Sequence, residues 1–425
     1  MLRICLMLAV VTLVVGSSRE GPPGRMVLRQ GWPEAPSGIL AGAVSADSRH
    51  VAFVSAASLL PADTNVLDDI YILDRESQRL TLATASYSGA ASNGTALNPQ
   101  LNADGQYLVF NSRATVLTGG PDRNEVDDVF VRGGVSGITT RVSVGHGGRD
   151  GNGRSAYPAI SGDGRWVVFE SDATNLVPGD DTNGTGSDVY LADLATGGLT
   201  RIGVDDAGRQ FARSFAPRIS GNGRFVAFAA TPRQSGSSRW HRGAAAIPRV
   251  YLRDLTTGTT VCVSCDQLRK GARLGAFAPD LNVDGSVVVF AIQSTSARSD
   301  IALYERASRA TTVITRRANA RSASPRLSGD GRVIAFESWA SNLLCAGRCR
   351  DPDIDENLLP DIYLFDRTKG HLRRASGTGA AWWTPSVAPG IDGTGAVVIF
   401  SSREPFGPED MTADFDLFVC SPVCP

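Results

Sequence analysis

The stretch ISGDGRWVVF, residues 160–169, decides the fold because six related copies recur along the chain. Each copy has an apolar start, a turn at Asp-Gly or a close variant, and an alternating run that ends in Phe. The other copies are VSADSRHVAF (44–53), LNADGQYLVF (101–110), ISGNGRFVAF (219–228), LNVDGSVVVF (281–290), LSGDGRVIAF (327–336) and IDGTGAVVIF (391–400). Asp-Gly between alternating apolar residues predicts a β-hairpin. The chain is therefore predicted to contain seven hairpins.

Two further strands are predicted after each hairpin. A loop leads to a third strand, and a tight turn such as LATGG (194–198) leads to a fourth. The third strands are DIYILD (69–74), DVFVRG (128–133), DVYLAD (188–193), RVYLRD (249–254), IALYER (301–306), DIYLFD (361–366) and DLFVCS (416–421). Repeated four-stranded antiparallel units of this length predict an all-β fold, the β-propeller. We predict seven blades rather than six or eight.

The seventh copy lacks a fourth strand, and a candidate for it lies near the other end of the chain. The segment RMVLRQG (25–31) resembles the fourth strands of the other copies. We expect it to complete the seventh blade and close the ring. A closed ring leaves few open sheet edges, which favours a monomer.

The N-terminus has the pattern of a secretory signal peptide. Arg3 precedes an apolar run of twelve residues, Ile4 to Val15, and small residues follow. A membrane-spanning helix needs about 20 apolar residues, so residues 1–18 are interpreted as a signal peptide and 19–425 as one propeller domain. The alternative is an uncleaved N-terminal anchor. We expect export to the periplasm or the extracellular space, with no membrane span after cleavage.

Six cysteines remain after the signal peptide, in three local pairs. The pairs are Cys262 with Cys265, Cys345 with Cys349, and Cys420 with Cys424. An even number in an exported chain predicts disulfides. The alternative is zinc, because CVSC (262–265) has the spacing of a metal knuckle.

The repeats resemble the TolB-type, WD-like propeller repeats of exported bacterial proteins. The resemblance is carried by SGDGRWVVFES (161–171), NLVPGDDTNG (175–184) and SDVYLADLATGGLTRI (187–202), and it covers nearly all of the mature chain. It implies the propeller fold. TolB has an additional N-terminal domain and resembles six-bladed forms, so the resemblance does not imply a role in TolB's own envelope complex.

Acidic loops after the second strands are expected to share one face with the connectors between blades. Calcium takes six to eight oxygen ligands, largely carboxylates and carbonyls. The candidate ligands are Asp63, Asn65 and Asp68; Asp122, Asn124 and Asp127; and Asp181, Asn183 and Asp188. The alternative is turn chemistry, in which Asp and Asn bond to their own backbone. Any calcium would be structural and local to a blade.

Composition and motifs exclude several classes of function. The chain has 42 basic and 43 acidic residues without a polybasic block, so no nucleic-acid partner is expected. There is no Gly-x-Ser-x-Gly nucleophile elbow, no His-Glu-x-x-His motif, and no carboxylate pair that the sequence singles out for glycoside hydrolysis. We therefore predict no catalytic residues, and no cofactor beyond the candidate calcium.

Exposed aromatic residues are candidates for partner binding. Trp382 and Trp383 lie in a connector, and Trp240 lies in an insertion; packing between blades and a mobile loop are the respective alternatives. We predict a non-catalytic scaffold that binds a protein or a cell-envelope polymer. The alternatives are a propeller hydrolase or lyase acting on polysaccharide, with carboxylates near the central channel, and a purely structural surface module.

Overall fold

The computed structural model describes most of the chain between residues 40 and 420. The described residues are 14–15, 25–28, 40–120, 122–134, 137–179, 181–233, 247–269, 275–295, 297–344, 357–376, 384–403 and 415–420. These ranges form seven antiparallel sheets, each with four strands or more. The predicted all-β, seven-bladed propeller is therefore confirmed.

The strands fall into four classes by their position in a blade. The first strands are β3 (Leu40–Val44), β7 (Ala96–Leu101), β11 (Ser155–Ile160), β15 (Arg213–Ile219), β19 (Gly275–Leu281), β23 (Ser322–Leu327) and β27 (Ser386–Ile391). The second strands are β4 (His50–Ser55), β8 (Tyr107–Ser112), β12 (Trp166–Ser171), β16 (Phe225–Thr231), β20 (Val287–Thr295), β24 (Val333–Ser338) and β28 (Val398–Ser402).

The third and fourth strands complete each sheet. The third strands are β5 (Asp69–Asp74), β9 (Asp128–Gly133), β13 (Asp188–Asp193), β17 (Arg249–Asp254), β21 (Arg298–Glu305), β25 (Asp361–Asp366) and β29 (Asp416–Cys420). The fourth strands are β6 (Arg79–Leu82), β10 (Thr139–Arg141), β14 (Gly198–Arg201), β18 (Thr260–Cys262), β22 (Ala310–Val313), β26 (His371–Arg374) and β2 (Arg25–Leu28). β21 begins three residues before its predicted start because the loop after β20 is short.

The first strands line the centre of the ring. Each contacts the first strands of both neighbouring blades, and the series closes from β27 back to β3. Each second strand ends on the face where the first strands begin, because adjacent strands are antiparallel. The loops after the second strands and the connectors between blades therefore share this face, which we call the acidic-loop face.

The Phe that ends each repeat motif forms the core of its blade. All seven are buried, and six of them face an aromatic residue of the third strand with ring centroids 5.3 to 6.0 Å apart. In the fifth blade Phe290 faces Ala302 instead. The repeated Phe thus fixes the register between the second and third strands.

The N-terminal strand closes the ring as the sequence predicts. β2 pairs with β29, with Val27 opposite Phe418, so the seventh blade combines both ends of the chain. A two-residue strand, β1 (Val14–Val15), lies within the predicted signal peptide and pairs with the other edge of β2.

The one described helix is α1 (Cys265–Arg269), directly after β18. Cys262 and Cys265 form a disulfide at this junction, with an S–S distance of 1.98 Å, and Cys420 is also disulfide-bonded. The predicted pairings of Cys345, Cys349 and Cys424 concern residues outside the described ranges. No described helix has the length and apolar character needed to cross a bilayer.

Candidate functional site

The acidic loops are tied to the neighbouring connectors by one asparagine each. The Nδ2 of Asn65 donates to Asp69 at 3.0 Å and to the carbonyl of Ser92 at 3.2 Å. Asn124 makes the same two contacts, with Asp128 and the carbonyl of Gly151. Each loop is thereby fixed to the chain that leads into the next blade. Asn183 repeats this arrangement in the third blade, with Asp188 and the carbonyl of Phe211.

The aspartate that begins a third strand is buried and receives further hydrogen bonds. Thr84 donates its hydroxyl to Asp69 at 2.6 Å and accepts the backbone N–H of Ile70 at 3.1 Å. Ser376 makes the equivalent pair of contacts with Asp361 and Ile362. These bonds offset part of the cost of burying the carboxylate. Burial nevertheless raises the pKa of Asp69.

An arginine of the fourth strand reaches the same carboxylate in three blades. The N–O distances are 3.2 Å for Arg141 with Asp128, 3.0 Å for Arg201 with Asp188 and 3.1 Å for Arg374 with Asp361. In the first blade Leu82 stands at the equivalent position, opposite Tyr71.

The candidate calcium ligands have protein partners in all three loops. Asp63 accepts the Tyr71 hydroxyl and the Asn65 backbone N–H. Asp122 lies 3.0 Å from Arg141, and Asp127 lies 3.1 Å from Arg154.

Asp181 accepts the backbone N–H of Asn183 at 3.1 Å, which is turn chemistry. The carboxylates that contact Asn65 and Asn124 are Asp69 and Asp128, one residue after the predicted Asp68 and Asp127.

A calcium ion does not fit the second and third blades well, because a guanidinium already lies against the carboxylates there. Among the described residues, no group of three or more His, Cys, Asp or Glu side chains could hold a metal ion. Asp63 and Asp181 make the contacts of the alternative, turn chemistry, whereas Asp122, Asp127 and Asp188 pair with arginines. The calcium site itself stays a prediction.

The aromatic candidates for partner binding, Trp240, Trp382 and Trp383, lie outside the described residues.

The remaining candidate site is the central channel. It is lined by the first strands of the blades, which we call the inner strands, and each of these strands carries a β-bulge. The bulges are visible as register shifts against the second strand.

Six of these bulges share a residue with positive φ directly before a proline. The six are Asn98, Tyr157, Ala216, Ala278, Ser324 and Ala388, with φ between 50° and 55°. Proline cannot donate to the ladder, and a bulge is a position where it does not have to. A non-glycine residue at positive φ costs roughly 1–3 kcal/mol and persists only where its surroundings enforce it.

Two buried glutamates of the second strands contact three of these bulges. Glu170 accepts the backbone N–H of Ala216 in the next blade at 2.7 Å. Glu337 accepts the hydroxyl of Ser324 at 2.7 Å and lies 3.4 Å from the N–H of Ala388. Burial raises the pKa of Glu170, while the Ala216 N–H and nearby arginines oppose the rise. Both carboxylates therefore brace neighbouring blades.

Arginines line the channel on the acidic-loop face. Arg154, Arg213 and Arg321 each lie four residues before a bulge proline, and we call them the entrance arginines. Arg213 begins β15, whereas Arg154 and Arg321 directly precede β11 and β23. Arg154 is 3.1 Å from Asp127 and 3.8 Å from Glu170. Arg213 donates to the Ser187 hydroxyl at 2.9 Å.

Two of the entrance arginines are exposed and have no carboxylate partner among the described residues. No described carboxylate lies within 4.0 Å of Arg213 or Arg321. Each instead stacks over a ring, at 4.7 Å from the centroid of Phe215 and 4.8 Å from that of Trp339. Stacked guanidiniums keep N–H donors free for a ligand.

The sequence carries a signal for arginines at this channel, whereas the prediction placed only carboxylates there, in the hydrolase or lyase alternative. RSFAPR (213–218) and RSASPR (321–326) repeat the same pattern, and RSAYPA (154–159) repeats most of it. The seven inner strands, counted with the residue directly before each, contain five arginines and one acidic residue, Asp280. These strands therefore carry more basic than acidic side chains, although the chain is nearly neutral.

Comparisons with known proteins identify the fold. The oligogalacturonate lyase from Vibrio parahaemolyticus is 10% identical and matches over 93% of each chain with a TM-score of 0.56. The β-propeller domain of the Trilobed protease from Pyrococcus furiosus is 11% identical, over 90% of this chain and 96% of that one, with a TM-score of 0.55. TolB from Acinetobacter baumannii is 16% identical, over 81% of this chain and 65% of that one, with a TM-score of 0.44.

No family model and no curated protein sequence matches the chain. The matches with TM-scores above 0.5 include a lyase and a protease domain, so this fold carries unrelated functions. At these identities they establish the fold alone: the chain is a seven-bladed β-propeller.

Proposed function

We propose that this chain is an exported, non-catalytic β-propeller that binds an acidic polymer of the cell envelope at the mouth of its central channel. The observation that carries the proposal is the set of entrance arginines, two of which are exposed without a carboxylate within 4.0 Å in the described part of the chain. Guanidinium groups bind carboxylates in a bidentate, charge-assisted geometry. A chain with repeated carboxylates is the ligand that this arrangement favours.

The hydrogen bonds of the described loops on the acidic-loop face support a binding role. Asn65, Asn124 and Asn183 fix their loops to the adjacent connectors, and Glu170 and Glu337 brace the inner strands. A site that is already ordered loses little conformational entropy when its ligand binds. The arginines are therefore presented on a preorganised surface.

The carboxylates beside the channel do not support glycoside hydrolysis. That reaction needs two carboxyl groups that flank one bond. Glu170, Glu337 and Asp280 instead accept backbone N–H groups of neighbouring strands. Their hydrogen bonds are those of structural groups, which favours binding without catalysis.

Cleavage by a lyase is a second candidate, and one observation favours it. Tyr157 is 42% exposed at its bulge, and the guanidinium of Arg154 lies 5.3 Å from the centroid of its ring. β-Elimination of a uronate needs a base and a cation that neutralises the carboxylate. The lyase from Vibrio parahaemolyticus, which shares the fold, is named for an acidic oligosaccharide.

The test compares acidic and neutral polymers on the purified mature chain. Polygalacturonate is titrated against dextran and polyglutamate at low and high salt, with ultraviolet absorbance to detect unsaturated uronate. We expect polygalacturonate alone to bind, more weakly at high salt, without product. Formation of product would replace the proposal by the lyase. Binding of polyglutamate alone would indicate an acidic protein partner, and binding of no polymer would indicate a structural module.

A further inference from the structure

A second pair of arginines lies deeper in the channel. Arg218 and Arg326 directly follow the bulge prolines of β15 and β23. Asp280 stands at the same position of β19, the inner strand between them. At about 3.3 Å per residue, Arg218 lies roughly 15 Å farther along its strand than Arg213. The pair is therefore separate from the entrance arginines.

The protein satisfies few of the donors on these two side chains. A guanidinium has five N–H donors. Arg218 uses Nη1 for the carbonyl of Pro217 at 3.0 Å, and no side-chain hydrogen bond of Arg326 is found among the described residues. No described carboxylate lies within 4.0 Å of either arginine. Both retain several donors for a ligand.

The nearest acidic residue is committed to the backbone. Asp280 accepts the N–H of Leu327 with its Oδ2 at 2.8 Å. It attracts Arg218 from the neighbouring strand without forming an ion pair within 4.0 Å. The equivalent positions of these three neighbouring strands carry two positive charges and one negative charge, so their sum is positive.

Burial without a counter-charge is unfavourable for a guanidinium. Burial, together with the charge of Arg326, lowers the pKa of Arg218 to about 10, although Asp280 opposes this shift. Charged groups in protein interiors are normally paired. Because both side chains keep some solvent-accessible surface, a small ligand can approach them from the channel.

We propose that Arg218 and Arg326 form a binding site for one oxyanion group, a carboxylate or a phosphate, at the centre of the propeller. The planar guanidiniums supply paired donors to its oxygens. If the oxyanion belongs to a longer acidic ligand, the inference rests on the proposed function. Small anions test the site independently of that ligand.

The experiment titrates the mature chain with succinate and with inorganic phosphate by calorimetry. We expect one anion per chain, and Arg218→Gln and Arg326→Gln should each weaken binding roughly tenfold or more, since a hydrogen bond to a charged group contributes about 1.5–3 kcal/mol. Asp280→Asn should strengthen binding by removing a repelling charge. The ligand that binds identifies the source of the oxyanion.

The matched control is Arg132→Gln. Arg132 is also partly buried, has a lowered pKa from burial, and donates to Thr139, but it lies on a third strand away from the channel. This variant should bind as the wild type does. If Arg218→Gln does not fold, Arg218→Lys keeps the charge but loses the planar fork, and it should bind more weakly than wild type.

Two results would overturn the inference: neither anion binds, or the two glutamine variants bind as tightly as the wild type. If small anions fail but polygalacturonate binds, only this inference is lost. If small anions bind through Arg218 and Arg326 but no polymer binds, the proposed function fails and the oxyanion site stands.

Discussion

Arg218 and Arg326 occupy equivalent positions of two inner strands, each one residue after the proline of a β-bulge. A bulge adds a residue and changes the direction of the side chains that follow it. Arg213 and Arg321, five residues earlier, are also equivalent to each other: each lies four residues before the same proline. The fourth and sixth blades therefore present two levels of paired arginine to one channel.

The stacked ring pairs predict a difference between blades in core stability. Phe169 faces Tyr190 with centroids 5.8 Å apart, whereas Phe290 faces Ala302. We expect Phe169→Leu to lower the free energy of unfolding by about 0.5–1.5 kcal/mol more than Phe290→Leu, because an aromatic pair contributes this much beyond its buried area. Denaturant unfolding of the two variants measures the difference, and equal losses would contradict it.

Asp188 predicts a pH dependence of stability. Burial raises the pKa of Asp188 from 3.8 to about 7, although Arg201 opposes the rise. The folded state therefore holds this proton more tightly than the unfolded state. The resulting stability is fully present below about pH 4 and is lost as the pH rises through 7.

We expect Asp188→Asn to flatten the fall in the free energy of unfolding between about pH 4 and pH 7, by at most about 1.4 kcal/mol per pH unit. Asp193, at the other end of β13, is the control. Arg165 lowers its pKa to about 2, so Asp193→Asn should leave the slope in this window unchanged. An unchanged slope in Asp188→Asn would show that Asp188 titrates normally.

The acidic loops predict little dependence of stability on calcium. Arg141 and Arg201 already contact the carboxylates of the second and third blades, so melting curves with EDTA and with excess calcium should coincide. A ligand that binds only the folded state raises the melting temperature. A rise of several degrees with calcium, abolished in Asp181→Ala, would instead establish the predicted calcium site.

The junction of the two chain ends predicts a localised weakness. Val27 pairs with Phe418 in the ladder between β2 and β29, and proline at this position removes a backbone donor. Val27→Pro should lower the melting temperature and the cooperativity of unfolding. The control is Val27→Ala, which keeps the backbone donor of the ladder and should have a much smaller effect. Similar losses in both variants would argue against closure through β2.

The sequence predicted the elements whose signals are local. The hairpin turns, the buried Phe residues and most third strands follow from Asp-Gly turns and alternation, and β2 follows from the strand missing in the last repeat. The hydrogen bonds that Asn65 and Asn124 make to the next connector were not predicted, because both residues were named only as candidate calcium ligands. Their carboxylate partners are Asp69 and Asp128, which begin the predicted third strands, and not the candidate ligands Asp68 and Asp127.

The channel could not be predicted from local pattern. Arg218 and Arg326 belong to blades separated by a third, and only ring closure brings their strands to one axis. The positive φ of the residues before the bulge prolines could not be predicted from local sequence either. The backbone N–H of Ala216, for example, donates to Glu170 of the previous blade. In the same way, strand pairing alone brings Arg201 back to Asp188.

The proposed binding role is tested most sharply by the affinity of polygalacturonate for wild type and for the double variant Arg213→Gln, Arg321→Gln, measured side by side at low salt. We expect the double variant to lose affinity roughly tenfold or more with an unchanged melting temperature, because both side chains are exposed. Equal affinities for the two proteins would contradict the claim that the entrance arginines bind an acidic polymer.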